Sequence, residues 1–246
     1  FVDHMDDGVE VRNISDEWTG FQIAGPNARD LLSACTRDDV ASMKFLDVRW
    51  MTVGMSRCLV QRVSYTGDLG YEIFTDPTKQ RQVFAVLWDA GQPMGIRPFG
   101  MRAMMSLRLD RFFGAWSREY SPDYTAGETG MDRFISWKKN VDFIGRAAAE
   151  AERAEGAKRK LCAFIVDADD ADVVAYEPIW IDGTVQGFCS SGGYSHHAEK
   201  SVALGFVPTD RAVEGLEVEI EILGEKRAAR LVTQPLFDPE GERLRG

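Results

Sequence analysis

Val63-Ser64-Tyr65-Thr66-Gly67-Asp68-Leu69-Gly70-Tyr71-Glu72-Ile73 joins two β-patterned runs through a glycine-bounded turn. Cys58 to Ser64 reads as one strand and Tyr71 to Phe74 as the next, with Tyr65 to Gly70 turning between them. The stretch sets a tyrosine, a Gly-x-x-Gly turn and an isolated carboxylate close together. A pocket that reads a flat polar heterocycle needs that mixture: an aromatic wall, close backbone approach, and a carboxylate for paired N–H donors. The same residues also describe an ordinary β-hairpin. The stretch alone does not separate the two readings.

Working outward, Phe21 to Ala24 reads as a short strand, and Gly25-Pro26 leads into a helix through Leu31-Leu32 with proline at a first helical position. Asp76-Pro77 opens another helix, the aspartate capping it. Val83, Phe84, Leu87 and Ala90 share its apolar face and Gly91 fits the stop. A third helix is expected over Met101 to Phe112, with Met101, Met104, Met105, Leu109 and Phe112 as a core stripe. Arg108, Asp110 and Arg111 are expected on its solvated face. The alanine-rich, charged run Ala147 to Lys160 suits an exposed helix leading to a linker. It puts a domain boundary between 155 and 156.

Beyond it the hydrophobic period becomes two. Leu161 to Val166, Ile179 to Ile181, Ser201 to Val207 and Val218 to Ile222 read as strands, and Asp182-Gly183 as a hairpin turn. Short strands at this spacing indicate a small β-barrel or sandwich. The fold class is therefore α+β: a mixed region over residues 1–155, then an all-β barrel domain over 156–246.

At 246 residues the chain can bury a large core. Its net charge of −10 works against nonspecific nucleic-acid binding, which relies on basic surface. No apolar run reaches membrane-span length, so no membrane partner is expected. Cys35, Cys58, Cys162 and Cys189 are widely spaced and lack C-x-x-C pairing. Reduced thiols in a cytoplasmic-type compartment, a bacterial cytosol or a mitochondrial matrix, follow. Phe1 to Gly8 contains no natural start, which suggests a fragment of a longer protein.

Several constellations fail on their chemistry. Asp167 to Asp172 has aspartate where a calcium loop needs glycine, and Pro178 where it needs glutamate, so a solvated loop is expected. His196-His197, taken as strand neighbours, point to opposite faces and lack a third metal ligand. Gly192-Gly193 has no phosphate-loop lysine and reads as a tight turn beside a ligand or another backbone. No G-x-S-x-G elbow occurs, and three histidines leave little for a His-based triad. Catalysis, if present, falls to carboxylates, tyrosines and a bound cofactor.

Ordered matches over residues 25–236 point further. Gly25 to Leu32, Tyr65 to Glu72, Ser106 to Asp110, Asp142 to Gly145, Pro178 to Trp180, Ser191 to Ser195 and Gln234 to Leu236 are each weak alone. Together they make the chain resemble the tetrahydrofolate-binding domains of the glycine-cleavage T-protein (aminomethyltransferase) superfamily. The nearest branch is the dimethylglycine and sarcosine dehydrogenases.

The resemblance implies a tetrahydrofolate pocket in which Tyr65 lines the cofactor, Thr66 and Gly67 shape the backbone, and Glu72 binds the pterin edge. It implies a one-carbon transfer enzyme that collects the unit released by N-demethylation of a small amine as 5,10-methylenetetrahydrofolate. FAD would belong to a separate upstream domain. The family's catalytic aspartate would lie before Phe1, and no metal is implied. Ala103-Met104-Met105 stands where T-proteins carry Ala-Arg-Asp, so the folate-site arginine is absent and Arg102 is its nearest neighbour. Tyr194 and Glu128 match family positions without an assigned role. A stand-alone aminomethyltransferase of the glycine cleavage system and a noncatalytic folate-fold module for packing or partner binding are the alternatives. An RNA-modification factor on the same fold would need a signature this chain lacks.

Overall fold

The computed structural model describes residues 8–245. The stretch Phe1 to Gly8, read as lacking a natural start, lies outside them except for Gly8. By contacts the chain forms two compact units, one running to Pro98 and taking in the residues from Gly241, the other covering Phe99–Glu240. Residues 99–155 thus make their contacts with the barrel strands, whereas composition alone placed the division between 155 and 156.

The first unit is built on a four-stranded antiparallel sheet of β1 (Thr19–Ala24), β2 (Val48–Val53), β3 (Ser56–Gln61) and β4 (Gly70–Thr75), in the order β1-β4-β3-β2. Helices α1 (Ala28–Cys35) and α2 (Gln80–Gly91) belong to the same unit. Tyr71, Ile73, Val60, Cys58, Met51 and Val53 alternate along their strands and join Leu31, Leu32, Val83 and Leu87 in one core. Helix α1 begins at Ala28 after Asn27, so Pro26 stands outside it. Asp76 caps the 3-10 turn Pro77–Lys79 that leads into α2, its side chain accepting from the Thr78 N–H at 2.8 Å, while α2 itself has no side-chain cap. Phe84 departs from the expected core face of α2: it is exposed and stacks on Trp88, with ring centroids 5.9 Å apart.

The second unit carries a closed antiparallel barrel of β5 (Arg159–Val166), β6 (Pro178–Ile181), β7 (Thr184–Ser195), β8 (Lys200–Pro208), β9 (Glu217–Ile222) and β10 (Glu225–Val232), in the order β10-β5-β8-β7-β6-β9. The α+β class with a C-terminal barrel holds. Val218, Ile220 and Ile222 point inward as their alternation with glutamate requires. Asp182 and Gly183 both have positive φ (50° and 78°), the backbone of a primed two-residue hairpin. Helices α3 (Met101–Leu107), α4 (Ala126–Thr129) and α5 (Arg146–Glu155) precede the barrel. The exposed helix expected to Lys160 stops at Glu155, because Arg159 and Lys160 already pair in β5.

Ser190 to Gly193 run through β7 and form no turn. The expected close approach is real, since a Cβ on Gly192 would sit 2.3 Å from the Val173 carbonyl oxygen. His196 and His197 lie in the turn after β7, not on a strand. Asp110 and His197 Nδ1 are 2.6 Å apart, and the imidazole stacks on Phe237 at 3.9 Å. Asp167 to Asp172 lies in a loop, and no three His, Cys, Asp or Glu among the described residues are grouped to hold a metal. All four cysteines are free thiols. No helix of the described residues is long and apolar enough to cross a membrane.

The solvated face expected for Arg108 and Asp110 does not exist. Both are buried, and Arg108 is 1% exposed in a short 3-10 segment after α3. One Arg108 Nη1 donates to Glu119 at 3.1 Å and to the Phe113 carbonyl at 2.7 Å, while Nη2 donates to Ser191 Oγ at 2.6 Å. Glu119 also accepts from the Ala115 N–H at 2.7 Å and from Ser190 Oγ at 2.6 Å. Burial alone would raise the Glu119 pKa, but the Ala115 N–H, Arg108 and the two serines outweigh it and hold the carboxyl below its usual value. The network fastens the segment after α3 to β7.

Glu119→Ala should destabilise the protein by about 3–5 kcal/mol, because it strands a buried guanidinium. Urea unfolding checks this; a loss below about 1 kcal/mol would deny the pair its structural role. A depressed carboxylate pKa supports the fold above its unfolded-state value and ceases to do so as pH falls through the folded value. The natural protein should therefore lose more stability than Glu119→Gln on acidification.

Candidate functional site

The connection from β3 to β4 is a hairpin whose loop spans residues 62–69, so the ordinary β-hairpin is present. Leu59, Val60 and Gln61 pair with Phe74, Ile73 and Glu72. The loop is fixed at both ends. Buried Arg62 donates from Nη2 to the Arg245 carbonyl at 2.8 Å, and Asp68 meets Arg243 at 3.5 Å. Both partners sit in α6 (Glu242–Arg245), which belongs to the same unit. The Gly25 N–H donates to the Leu69 carbonyl at 2.8 Å.

Two glycines make this path possible. Gly67 has φ +87°, a left-handed conformation that side chains disfavour. Gly70 has no room for a Cβ, which would lie 2.8 Å from the Ser64 Cβ and 2.9 Å from the Ile23 carbonyl oxygen. Ser64 therefore folds back over the first residue of β4. The Ser64 and Thr66 hydroxyls are 3.0 Å apart and both residues are buried. The Thr66 hydroxyl is thus occupied within the loop. Tyr65 is half-buried.

Glu72 lies on β4, the second strand in sheet order, with strands on both sides. Tyr71, Ile73 and Thr75 are fully buried on one face, so strand alternation directs Glu72 to the other. Its side chain is half-buried and has no hydrogen-bond or ion-pair partner among the described residues. Burial raises its pKa, with no donor or cation to bring it back. Gln22 of β1 and Gln61 of β3 stand directly opposite Glu72 on its two sides. The Gln22 Nε2 is buried and without a partner among the described residues. The three residues form a polar row, Gln22–Glu72–Gln61, on one sheet face.

Sequence reading singles out Glu72 and passes over both glutamines. They become visible only through cross-strand register between segments far apart in the chain. Met104, at the position of the absent arginine, is half-buried, and Arg102 nearby is exposed. Glu128 belongs to a capping box with Thr125 and pairs with Arg159 at 2.8 Å, which is structural work. Tyr194 meets the edge of His196 with ring centroids 5.1 Å apart.

Comparison with known proteins gives the row its context. Residues 1–139 match the GCVT N-terminal domain and residues 159–238 the glycine cleavage T-protein C-terminal barrel domain. The chain is 36% identical over 239 residues to the mitochondrial dimethylglycine dehydrogenase of Homo sapiens, covering 96% of this chain and 28% of that protein. It is 30% identical over 230 residues to an aminomethyltransferase of Alkaliphilus metalliredigens, covering 93% of this chain and 62% of that one. The crystal structure of the glycine cleavage system aminomethyltransferase T from Bartonella henselae shares the fold, with a TM-score of 0.69 at 18% identity. That match covers 92% of this chain and 85% of that one. With one family domain matched over more than half its length and the barrel domain following in order, the chain belongs to the glycine cleavage T-protein family.

Proposed function

We propose that this chain is the tetrahydrofolate-binding part of a one-carbon transfer enzyme, of the kind that serves oxidative N-demethylation of dimethylglycine- or sarcosine-like amines. The observation that carries the reading is the Glu72 carboxylate, half-buried, without a partner among the described residues, and flanked by two amides. A desolvated carboxylate lacking internal donors is best satisfied by a ligand that brings them. The pterin edge carries a ring N–H and an amino group side by side, and one carboxylate can accept both. On this donor set the residues present fit the cofactor.

Glu72 would hold the pterin edge and Tyr65 would wall the ring, while Thr66 and Gly67 fix the backbone that presents them. When bound, tetrahydrofolate supplies the nitrogens that retain the one-carbon unit as 5,10-methylenetetrahydrofolate. The chain's own contribution is orientation, which turns a bimolecular capture into an effectively intramolecular one. Tyr65 and Glu72 position the cofactor and transfer no proton. We place this role in the region 1–155, with 156–246 as the barrel region. The catalytic acid and an FAD-bearing domain would come from outside residues 1–246. A compartment that keeps thiols reduced, cytosol or mitochondrial matrix, suits the four free cysteines. The 36% identity to a dehydrogenase, against 30% to an aminomethyltransferase, favours the demethylating reading over a stand-alone aminomethyltransferase.

Glu72→Gln should weaken tetrahydrofolate binding by about tenfold or more, the order expected for a charge-assisted hydrogen bond. Calorimetry on the full-length protein measures it. Unchanged affinity would remove Glu72 from the site, and no binding at millimolar folate by the natural protein would leave a noncatalytic module. Stability should hold or rise slightly at neutral pH. A carboxyl with a raised pKa opposes folding once pH exceeds its unfolded-state value, and glutamine ends that penalty.

The pH dependence gives a separate check. Affinity should decline as pH falls through the raised Glu72 pKa, starting above the ordinary glutamate value of about 4.3. Glu72→Gln should lack that component. An identical decline in both proteins would assign it to the pterin or to another group.

A further inference from the structure

The proposed function gives no role to the most conspicuous unpaired donor in the sheet unit, the buried Gln22 Nε2. A buried amide nitrogen without an acceptor is rare in a folded protein and calls for a physical account. Nothing in the sheet supplies one. Gln22 is the register partner of Glu72 on β1, so its Cβ lies about 5 Å from that of Glu72 on the same face. The amide nevertheless makes no hydrogen bond to the carboxylate. The two groups stand side by side, each unpaired among the described residues, one a donor and the other an acceptor.

The pterin edge has the complementary order. Beside the ring N–H and amino group that a carboxylate accepts lies the 4-oxo oxygen, which accepts and cannot donate. A carboxylate on one strand and an amide donor on the next match three adjacent positions of that edge. From this we infer that Gln22 is a specificity residue of the cofactor site, its Nε2 donating to the 4-oxo oxygen. The inference rests on the reading of Glu72 as the pterin acceptor. It adds that the site discriminates a 4-oxo pteridine from a 4-amino one, because a 4-amino group would set donor against donor. Gln61, on the far side of Glu72, leaves the row open to the second hydrogen of the amino group.

The test compares two ligands on the full-length protein by calorimetry: tetrahydrofolate and its analogue with a 4-amino group in place of the 4-oxo. The natural protein should prefer the 4-oxo ligand, and Gln22→Met should reduce that preference about tenfold. Intrinsic differences between the ligands cancel in this ratio of ratios. Gln22→Asn keeps the amide but withdraws it by one methylene, and should lose the preference too. It decides the matter if the methionine variant does not fold. A preference unchanged in a folded variant would overturn the assignment, as would equal weakening of both ligands, which marks a packing role. If Glu72→Gln weakens tetrahydrofolate while the Gln22 variants keep the preference, only the Gln22 assignment falls. If the natural protein binds neither ligand, the folate reading falls and takes the assignment with it.

Discussion

The side-chain alternation of β4 governs the sheet unit. Tyr71, Ile73 and Thr75 are each 0% exposed, locked between the sheet and the core that includes α1 and α2. A slip of one residue would drive these three to the open face and force Glu72 into an apolar core. Every residue of the polar row inherits its position from that register. Glu72 faces away from the core because its neighbours are needed inside, and Gln22 and Gln61 flank it because the adjacent strands pair in one register only. The glycine-shaped loop then closes beside the row, held by the Ser64–Gly70 contact and by α6.

The barrel unit solves a different problem with a buried charge. Arg108 and Glu119 bind a short irregular segment to β7, and Ser190 and Ser191 complete the carboxylate's coordination. On the outside of the barrel, Leu109 packs with Ala163, Leu204 and Val232. The pair therefore sits beside apolar packing that excludes water, and its geometry has to be complete to repay desolvation. Four donors to two carboxylate oxygens meet that condition. The same device would be a poor choice at the Glu72 position, since a carboxylate satisfied by its own protein has nothing left for a ligand.

Local signals in the sequence carried much of this. Alternation located β9, the Asp182-Gly183 pair located a hairpin, and ordered motifs located the family. What failed was long-range. Arg108 and Asp110 read as solvated because their partners lie on other segments: Glu119, Ser191 and His197. Gly192-Gly193 read as a turn because glycine signals freedom, whereas here it makes room for the Val173 backbone inside a strand. Strand β2 and the full length of β7 escaped because their apolar periods are broken by polar or small residues. Gln22 and Gln61 carry no motif at all, and only pairing between strands gives them a common address.

A crystal structure of the full-length protein with tetrahydrofolate bound is the most direct test of the claim that Glu72 takes the pterin edge. The account predicts the Glu72 carboxylate within hydrogen-bonding distance of both the pterin ring N–H and the 2-amino nitrogen. A pterin held by another carboxylate, with Glu72 turned to solvent or paired within the protein, would contradict it.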